Sequence, residues 1–286
     1  MTQVTNPTIP VSSVPSRGGL DVIGTQGDNR LNGTEQADII LTFGGNDVIS
    51  GRGGDDLIIS GGGNDSIGGG GGNDDIFAGT GNDVVDGGSG DDRIFGGKGN
   101  DLIDGGAGND LISGDNGNDT VLGGTGNDTA FGGKGNDFVG GGDGNDSLFG
   151  GRDNDTVDGG AGDDFISGDR GSDVLTGGAG RDTFYFASAG GSDFGVDTIT
   201  DFTPVDDKIR LKSGGVFAGL GTNFDASEFV VISGFNKDTT TAAATGNKLV
   251  YDPTNGVLYF NGGSGVLTIA QLQPNLTITS NNFELF

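Results

Sequence analysis

From Asp38 to Asp182 an aspartate occupies every ninth residue without interruption: Asp38, Asp47, Asp56, Asp65, Asp74, Asp83, Asp92, Asp101, Asp110, Asp119, Asp128, Asp137, Asp146, Asp155, Asp164, Asp173 and Asp182. Neither Asn nor Ser stands in this slot in any copy, so it demands a carboxylate and not merely a turn-capping polar group. A fixed period with no insertion describes one structural unit stacked on itself. If units stack at a strand spacing of about 4.8 Å, equivalent aspartates fall into rows. Carboxylates that close repel unless positive charge lies between them. The chemistry such rows suit is the binding of a hard, oxygen-seeking cation.

The rest of the composition agrees and removes the competing chemistries. The 286 residues carry 41 Asp plus Glu against 14 Lys plus Arg, a net charge of -27, and only Glu35, Glu228 and Glu284 are Glu. Such a preference for the shorter acid suits a carboxylate held by tight turns beside backbone carbonyls. Nucleic acid and anionic membrane surfaces are disfavoured as partners, because the dominant field repels phosphate. The chain has no Cys and no His. No disulfide framework, thiolate ligand, His-containing zinc site or Ser-His-Asp triad can therefore be built. No apolar run approaches the roughly 18 residues of a membrane span.

The element that must position each aspartate is a nine-residue unit, best seen as Gly96, Gly97, Lys98, Gly99, Asn100, Asp101, Leu102, Ile103, Asp104. Glycines at positions one, two and four permit the positive φ of a tight turn. The triplet around position eight is predicted to form a very short strand. Two units then make one 18-residue turn, with a strand on each side and a glycine loop at each end. Position eight supplies the core: Ile40, Ile49, Ile58, Ile67, Ile76, Val85, Ile94, Ile103, Ile112, Val121, Ala130, Val139, Leu148, Val157, Ile166, Leu175 and Phe184 are all apolar. One aspartate column runs Asp38, Asp56, Asp74 and on to Asp182, and the alternate aspartates form the other. Counting the gaps along both columns sets an upper bound of about fifteen calcium ions, calcium being the cation that takes six to eight carboxylate and carbonyl oxygens. A core this thin does not offset the ordering of so many backbone residues, so the chain is expected to be unfolded without the ion and folded with it.

The pattern GGxGxDxUx, with U a large apolar residue, resembles the nonapeptide of the repeats-in-toxin (RTX), or hemolysin-type calcium-binding, family. The resemblance implies an all-β, right-handed parallel β-roll of 18 residues per turn. It also implies calcium held by backbone carbonyls of the glycine-rich half and by position-six aspartates of adjacent turns. Carried over, the metal ligands are the column aspartates together with Gly87, Gly88, Gly90, Gly96, Gly97, Gly99, Gly105, Gly106 and Gly108 of the most regular copies. Sites are expected to be weaker where Thr42, Ser60 and Ala78 replace glycine at position one, where Asp115 and Asp169 replace it at position two, and where Asp153 replaces it at position four.

Three regions follow: a flexible arm over 1–19, the roll with a degenerate N-terminal cap over 20–182, and a C-terminal β cap over 183–286. Asn29 takes the aspartate slot in the cap. The arm lacks the basic start and apolar segment of a cleaved secretory signal. After residue 182, Thr183 to Phe186, Asp197 to Phe202 and Asp206 to Leu211 read as strands, and Lys248 to Asp252 with Val257 to Phe260 flank Pro253, Thr254, Asn255, Gly256 as a hairpin. The segment from Asp197 resembles the region that closes RTX modules, and Asn281 to Phe286 resembles the family's uncleaved C-terminal signal for a type I exporter, or else is an ordinary last strand. Position nine points outward and is apolar along one column, with Leu41, Ile59, Phe77, Phe95, Phe131 and Phe149 broken by Ser113 and Ser167. Such a strip is either a contact surface or a ladder of rings stacked on one another.

The leading expectation is an exported, non-enzymatic calcium-binding β-roll that acts as a cell-surface, matrix or adhesion component. Its partners would be calcium, a type I exporter and either itself or a cell-surface polysaccharide. The alternative is a calcium-dependent glycan-active or glycan-binding module resembling those of alginate epimerases. An ice-binding solenoid needs a row of Thr that the scattered Thr120, Thr129 and Thr156 do not form.

Overall fold

In a computed structural model, which describes residues 19–187, 195–212, 217, 220, 228–234, 247–262 and 265–285, successive nonapeptides alternate between two β-sheets. Of the expected arm over 1–19, residues 1–18 lie outside the described residues. Arg93–Lys98 pairs in parallel with Leu111–Asn116, and Leu102–Ala107 with Thr120–Thr125. The registers Ile94↔Ile112 and Ile103↔Val121 show the 18-residue turn that the period requires. The sheets hold 12 and 14 strands, so the molecule is an all-β parallel roll.

The strands are longer than the triplet predicts. Leu102–Ala107 is typical at six residues, running from position seven of one unit to position three of the next. Its ladder pairs form at residues 102 to 104 and again at 106 and 107, with Gly105 skipped between them. The first two glycines therefore bend the strand instead of leaving it. Gly97 shows why the residue type matters: its φ is +106°, and a methyl group there would strike the carbonyl oxygen of Gly79 on the preceding coil. Only a residue without Cβ allows that conformation and that approach together.

Burial alternates along each strand, so position eight faces inward and positions seven and nine face out. Every position-eight side chain from Ile40 to Phe184 is at most 3% exposed, which makes the core a single file of side chains behind each sheet. On the outer face of the 12-stranded sheet, Phe77 stacks on Phe95 with centroids 5.2 Å apart, and Phe131 on Phe149 at 4.9 Å. Where serine interrupts this row, Ser113 and Ser167 donate to the carboxylates of Asp115 and Asp169 at 2.6 and 2.8 Å. Those two aspartates keep the positive φ of the glycines they replace, at 73° and 67°.

Asp21–Ile23 and Arg30–Asn32 begin the two sheets by pairing with Ile39–Leu41 and Val48–Gly53. Beyond Asp182 the strands do not at once turn antiparallel. Thr183–Phe186, Lys208–Leu211 and Phe283–Leu285 extend one sheet in parallel, and Asp197–Ile199 extends the other. The expected antiparallel strands come later, as Lys248–Asp252, Val257–Gly262 and Gly265–Gln271, with Asp252 opposite Val257 across the hairpin turn. Phe184, Phe202, Leu211, Tyr251 and Leu258 join the same core and continue it past the periodic region. Among the described residues no helix is long and apolar enough to cross a membrane.

Ile103 is fully buried between Val85 and Val121 of its neighbouring coils. Ile103→Ala is expected to cost about 2 to 5 kcal/mol in urea melts under fixed conditions, whereas Thr156→Ala on the exposed face is expected to change stability by less than about 0.5 kcal/mol.

Candidate metal centre

The aspartate at position six is the last residue before each strand, and its side chain turns inward to 4% exposure or less in every copy. One carboxylate oxygen is spoken for. The backbone N–H of each aspartate donates to Oδ1 of the aspartate one coil later, Asp92 to Asp110 at 2.8 Å and Asp83 to Asp101 at 2.9 Å. The two columns are thus hydrogen-bonded ladders as well as rows of charge. They run past the periodic region: Asp173 N–H donates to Asp197 and Asp182 N–H to Asp207, both at 3.0 Å. Sequence reasoning missed Asp197 and Asp207 because their spacings of 24 and 25 break the period. The available signal was the tripeptide itself, since Asp197-Thr198-Ile199 and Asp207-Lys208-Ile209 keep an aspartate two residues before a buried isoleucine.

The other carboxylate oxygen tells the ends of the array from its interior. At the ends it is satisfied locally: Oδ2 of Asp38 accepts from the N–H of Thr34 at 2.5 Å, and Oδ2 of Asp207 from the N–H and hydroxyl of Thr203 at 2.6 and 2.8 Å. In Asp47, in every column aspartate from Asp74 to Asp164, and in Asp182, Oδ2 is buried and accepts no hydrogen bond from the described residues. A buried carboxylate oxygen with no donor is among the most costly arrangements a fold can hold.

What surrounds these oxygens is set by the glycine at position one. A methyl group added to Gly105 would lie 2.5 Å from Oδ2 of Asp110 and 2.6 Å from the carbonyl oxygen of Gly123 on the next coil. At Gly96 the same two groups, from Asp101 and Gly114, lie at 2.5 and 3.1 Å. Position one therefore keeps open a small cradle lined by a carboxylate oxygen and a backbone carbonyl. Gly87, Gly96 and Gly105 line such cradles, while Gly88, Gly97 and Gly106 at position two and Gly90, Gly99 and Gly108 at position four hold the positive φ of the turns. Among the described residues no three acidic side chains converge on one point. A cation here would take fewer than three carboxylates and complete its shell from backbone carbonyls. An all-oxygen donor set of this kind fits calcium, whose shell is large and irregular, better than magnesium, which demands a near-ideal octahedron.

Three cradles at the start of one column are filled by side chains. The Thr42 hydroxyl donates to the carbonyl oxygen of Ser60, and the Ser60 hydroxyl to that of Ala78 at 2.5 Å. In those two cradles the carbonyl already has a donor, and in the third the methyl of Ala78 takes the space.

Position five carries a second ladder that its mixed composition concealed. The N–H of Asn82 donates to the side-chain oxygen of Asn64 at 2.7 Å, and Asn100 to Asn82 at 2.8 Å. This ladder points toward the preceding coil, opposite in sense to the aspartate ladder. Asn or Asp serves equally because only an acceptor is needed.

Burial pushes up the column carboxyls from Asp65 to Asp182, and for most of them like charge from neighbouring aspartates adds to it. Asp74, Asp119 and Asp164 rise to about 7, Asp155 to about 8, and Asp92, Asp110 and Asp128 to about 6. A carboxyl whose folded pKa lies above its unfolded value stabilises the metal-free fold at low pH, and that contribution is lost as pH rises through the folded pKa. In chelator, β structure measured by circular dichroism is therefore expected at about pH 4 to 5 and expected to fade between about pH 6 and 8.

Six overlapping segments match the RTX calcium-binding nonapeptide repeat: residues 23–58, 50–85, 86–121, 113–148, 122–157 and 149–184. No curated protein matches the chain. Among solved structures, the AlgE6R3 subunit of the mannuronan C5-epimerase from Azotobacter vinelandii is 23% identical, over 60% of this chain and 77% of that one, with a TM-score of 0.32. The extracellular lipase LipA from Serratia marcescens is 18% identical over 72% of this chain but only 40% of its own, with a TM-score of 0.23. At these values neither likeness bears on function. With its repeats matched from residue 23 to residue 184, more than half its length, the chain belongs to the RTX calcium-binding nonapeptide repeat family.

Proposed function

We propose that this calcium-binding β-roll is an exported protein that folds when it meets extracellular calcium, and that it serves as a cell-surface, matrix or adhesion component. The observation that carries the folding switch is the row of buried Oδ2 atoms without a hydrogen-bond donor, which across the position-one glycines from Gly87 to Gly141 each face a backbone carbonyl of the next coil. At the ends of the array a threonine supplies the missing donor, and for the Oδ2 atoms from Asp74 to Asp164 the described residues supply none.

The residues that would hold calcium are the interior column aspartates through Oδ2, and the backbone carbonyls beside Gly87, Gly96, Gly105 and their equivalents. Bound calcium would supply the positive charge that lets carboxylates lie one strand spacing apart. The aspartates themselves do the orienting, because Oδ1 is fixed by the N–H of the preceding coil and leaves only Oδ2 free to ligate. The hydroxyls of Thr42 and Ser60 and the methyl of Ala78 argue against ions in three gaps, which lowers the upper bound from about fifteen to about twelve.

Extracellular calcium modules bind with dissociation constants of about 0.1 to 1 mM, so a chain of this kind stays unfolded at intracellular calcium and can thread an exporter. The Asn281 to Phe286 tail, with its likeness to type I signals, supports that route. In the folded roll, Phe283–Leu285 is the last strand of one sheet.

Far-UV circular dichroism during a calcium titration at pH 7.5, with magnesium as the control, tests the reading. A cooperative rise in β signal near about 1 mM calcium and none with magnesium is expected; full β structure in chelator at that pH would overturn it. Asp110→Asn is expected to raise the calcium midpoint several-fold. Asp38→Asn, where Thr34 already serves Oδ2, is expected to shift it much less.

A further inference from the structure

Three strands of the phenylalanine-bearing sheet begin beside an exposed acid and end on an exposed base. Arg93–Lys98 follows Asp91 and ends on Lys98; Ser147–Arg152 follows the turn that begins at Asp143, the last residue of Phe138–Asp143 in the other sheet, and ends on Arg152; Phe165–Arg170 follows Asp163 and ends on Arg170. A fourth, Thr129–Lys134, ends on exposed Lys134 with neutral Asn127 before it. The registers Asn116↔Lys134, Lys134↔Arg152 and Arg152↔Arg170 place these bases in one row along one edge of the roll. The acids lie along the opposite edge. In a chain with only 14 basic residues, four in one row is a strong concentration.

The row makes no use of its charge within the molecule. Among the described residues the ion pairs are Arg93–Asp75, Arg181–Asp163 and Arg210–Glu284, and none involves Lys98, Lys134, Arg152 or Arg170. Lys134 donates only to Asn116, at 2.8 Å. Three acids share the basic edge, Asp115, Asp153 and Asp169, and Asp115 and Asp169 are engaged by Ser113 and Ser167. On the acidic edge, Asp91 accepts from Asn109, and Asp163 from Arg181.

We propose that the roll associates side by side with further copies of itself, the basic edge of one against the acidic edge of the next. Two copies in the same orientation and at the same level bring Lys98 to Asp91, Arg152 to Asp143 and Arg170 to Asp163 at once. A slip of one coil either way leaves at most two of these meetings, so the register is specified by charge. The contact is heterologous, since different edges meet, and it does not close on itself. Rows of copies follow. A single exposed ion pair is worth about 1 kcal/mol or less, so the row and not any one pair carries the association. The inference rests on the calcium-loaded roll being the folded form, because a chain at -27 repels its own copies until the column carboxylates are neutralised.

The test is sedimentation velocity of the full chain in calcium, with circular dichroism on the same samples to show that the roll is folded. Absence of β signal in calcium would count against the calcium reading and not against this one. With the roll folded, concentration-dependent association is expected at low ionic strength and monomer at about 1 M salt, where the screening length is about 3 Å. Two charge-reversed variants decide the geometry: Lys98→Asp with Arg152→Asp and Arg170→Asp, and Asp91→Lys with Asp143→Lys and Asp163→Lys. Each folded variant alone is expected to stay monomeric, and a mixture of the two is expected to assemble. A folded wild type that is monomeric at every concentration overturns the proposal. So does association that either variant retains, which would locate the contact on the stacked phenylalanines, or a mixture that does not assemble, which would leave the basic row to another anionic partner such as an acidic polysaccharide.

Discussion

Everything in this roll depends on a carboxylate buried with only one of its oxygens satisfied. The arrangement recurs in both columns, and in each copy the Oδ1 that accepts a backbone N–H also fixes where Oδ2 points. Polar burial without a partner is ordinarily purged from folds. Here its repetition in each column aspartate from Asp74 to Asp164, with a threonine substitute at Asp38 and Asp207, marks the place that a cation takes. The thin core and the high glycine content make sense in that light. Side chains give each coil its register, and the coil-to-coil attraction is left to charge.

The glycines divide the labour. At position one the missing Cβ keeps a cradle open, as the filled versions at Thr42 and Ser60 show by contrast. At positions two and four glycine takes the positive φ and the close approach to the carbonyls of the preceding coil without a Cβ in the way, a φ sign that Arg52 and Asp153 also carry. Asp115 and Asp169 reach the same φ at position two and bind the serine that breaks the phenylalanine row. The substitution thus comes with its own local compensation.

The sequence made the repeat, its two columns, the inward position eight and the 18-residue turn legible, because each is a matter of strict period. The length of the strands was not legible. Paired glycines ordinarily signal a loop, and nothing in the composition reveals that Gly105 can bend a strand whose ladder resumes at Gly106. Asp197 and Asp207 escaped for a related reason: the segments before them changed length while their role in the ladder did not. The asparagine ladder was hidden by its tolerance, since an acceptor slot open to both Asn and Asp looks unselective. The threonine that serves Asp38 stands where later copies have a glycine and looked like simple degeneracy.

Alternation between the sheets has a consequence for how such a gene can change length. Loss or gain of one nonapeptide would exchange the two sheets for everything downstream. Phe131 and Phe149 would pass to the face that bears Asp104, and Lys134 and Arg152 would cross to the opposite edge. Loss or gain of two leaves every row continuous. Ser113 with Asp115 and Ser167 with Asp169 recur 54 residues apart, which is three whole coils, so a three-coil block also preserves the interruptions of the aromatic row. Slippage during replication is therefore tolerated in steps of eighteen and selected against in steps of nine, and the copy number of the repeat is free to drift only by whole coils.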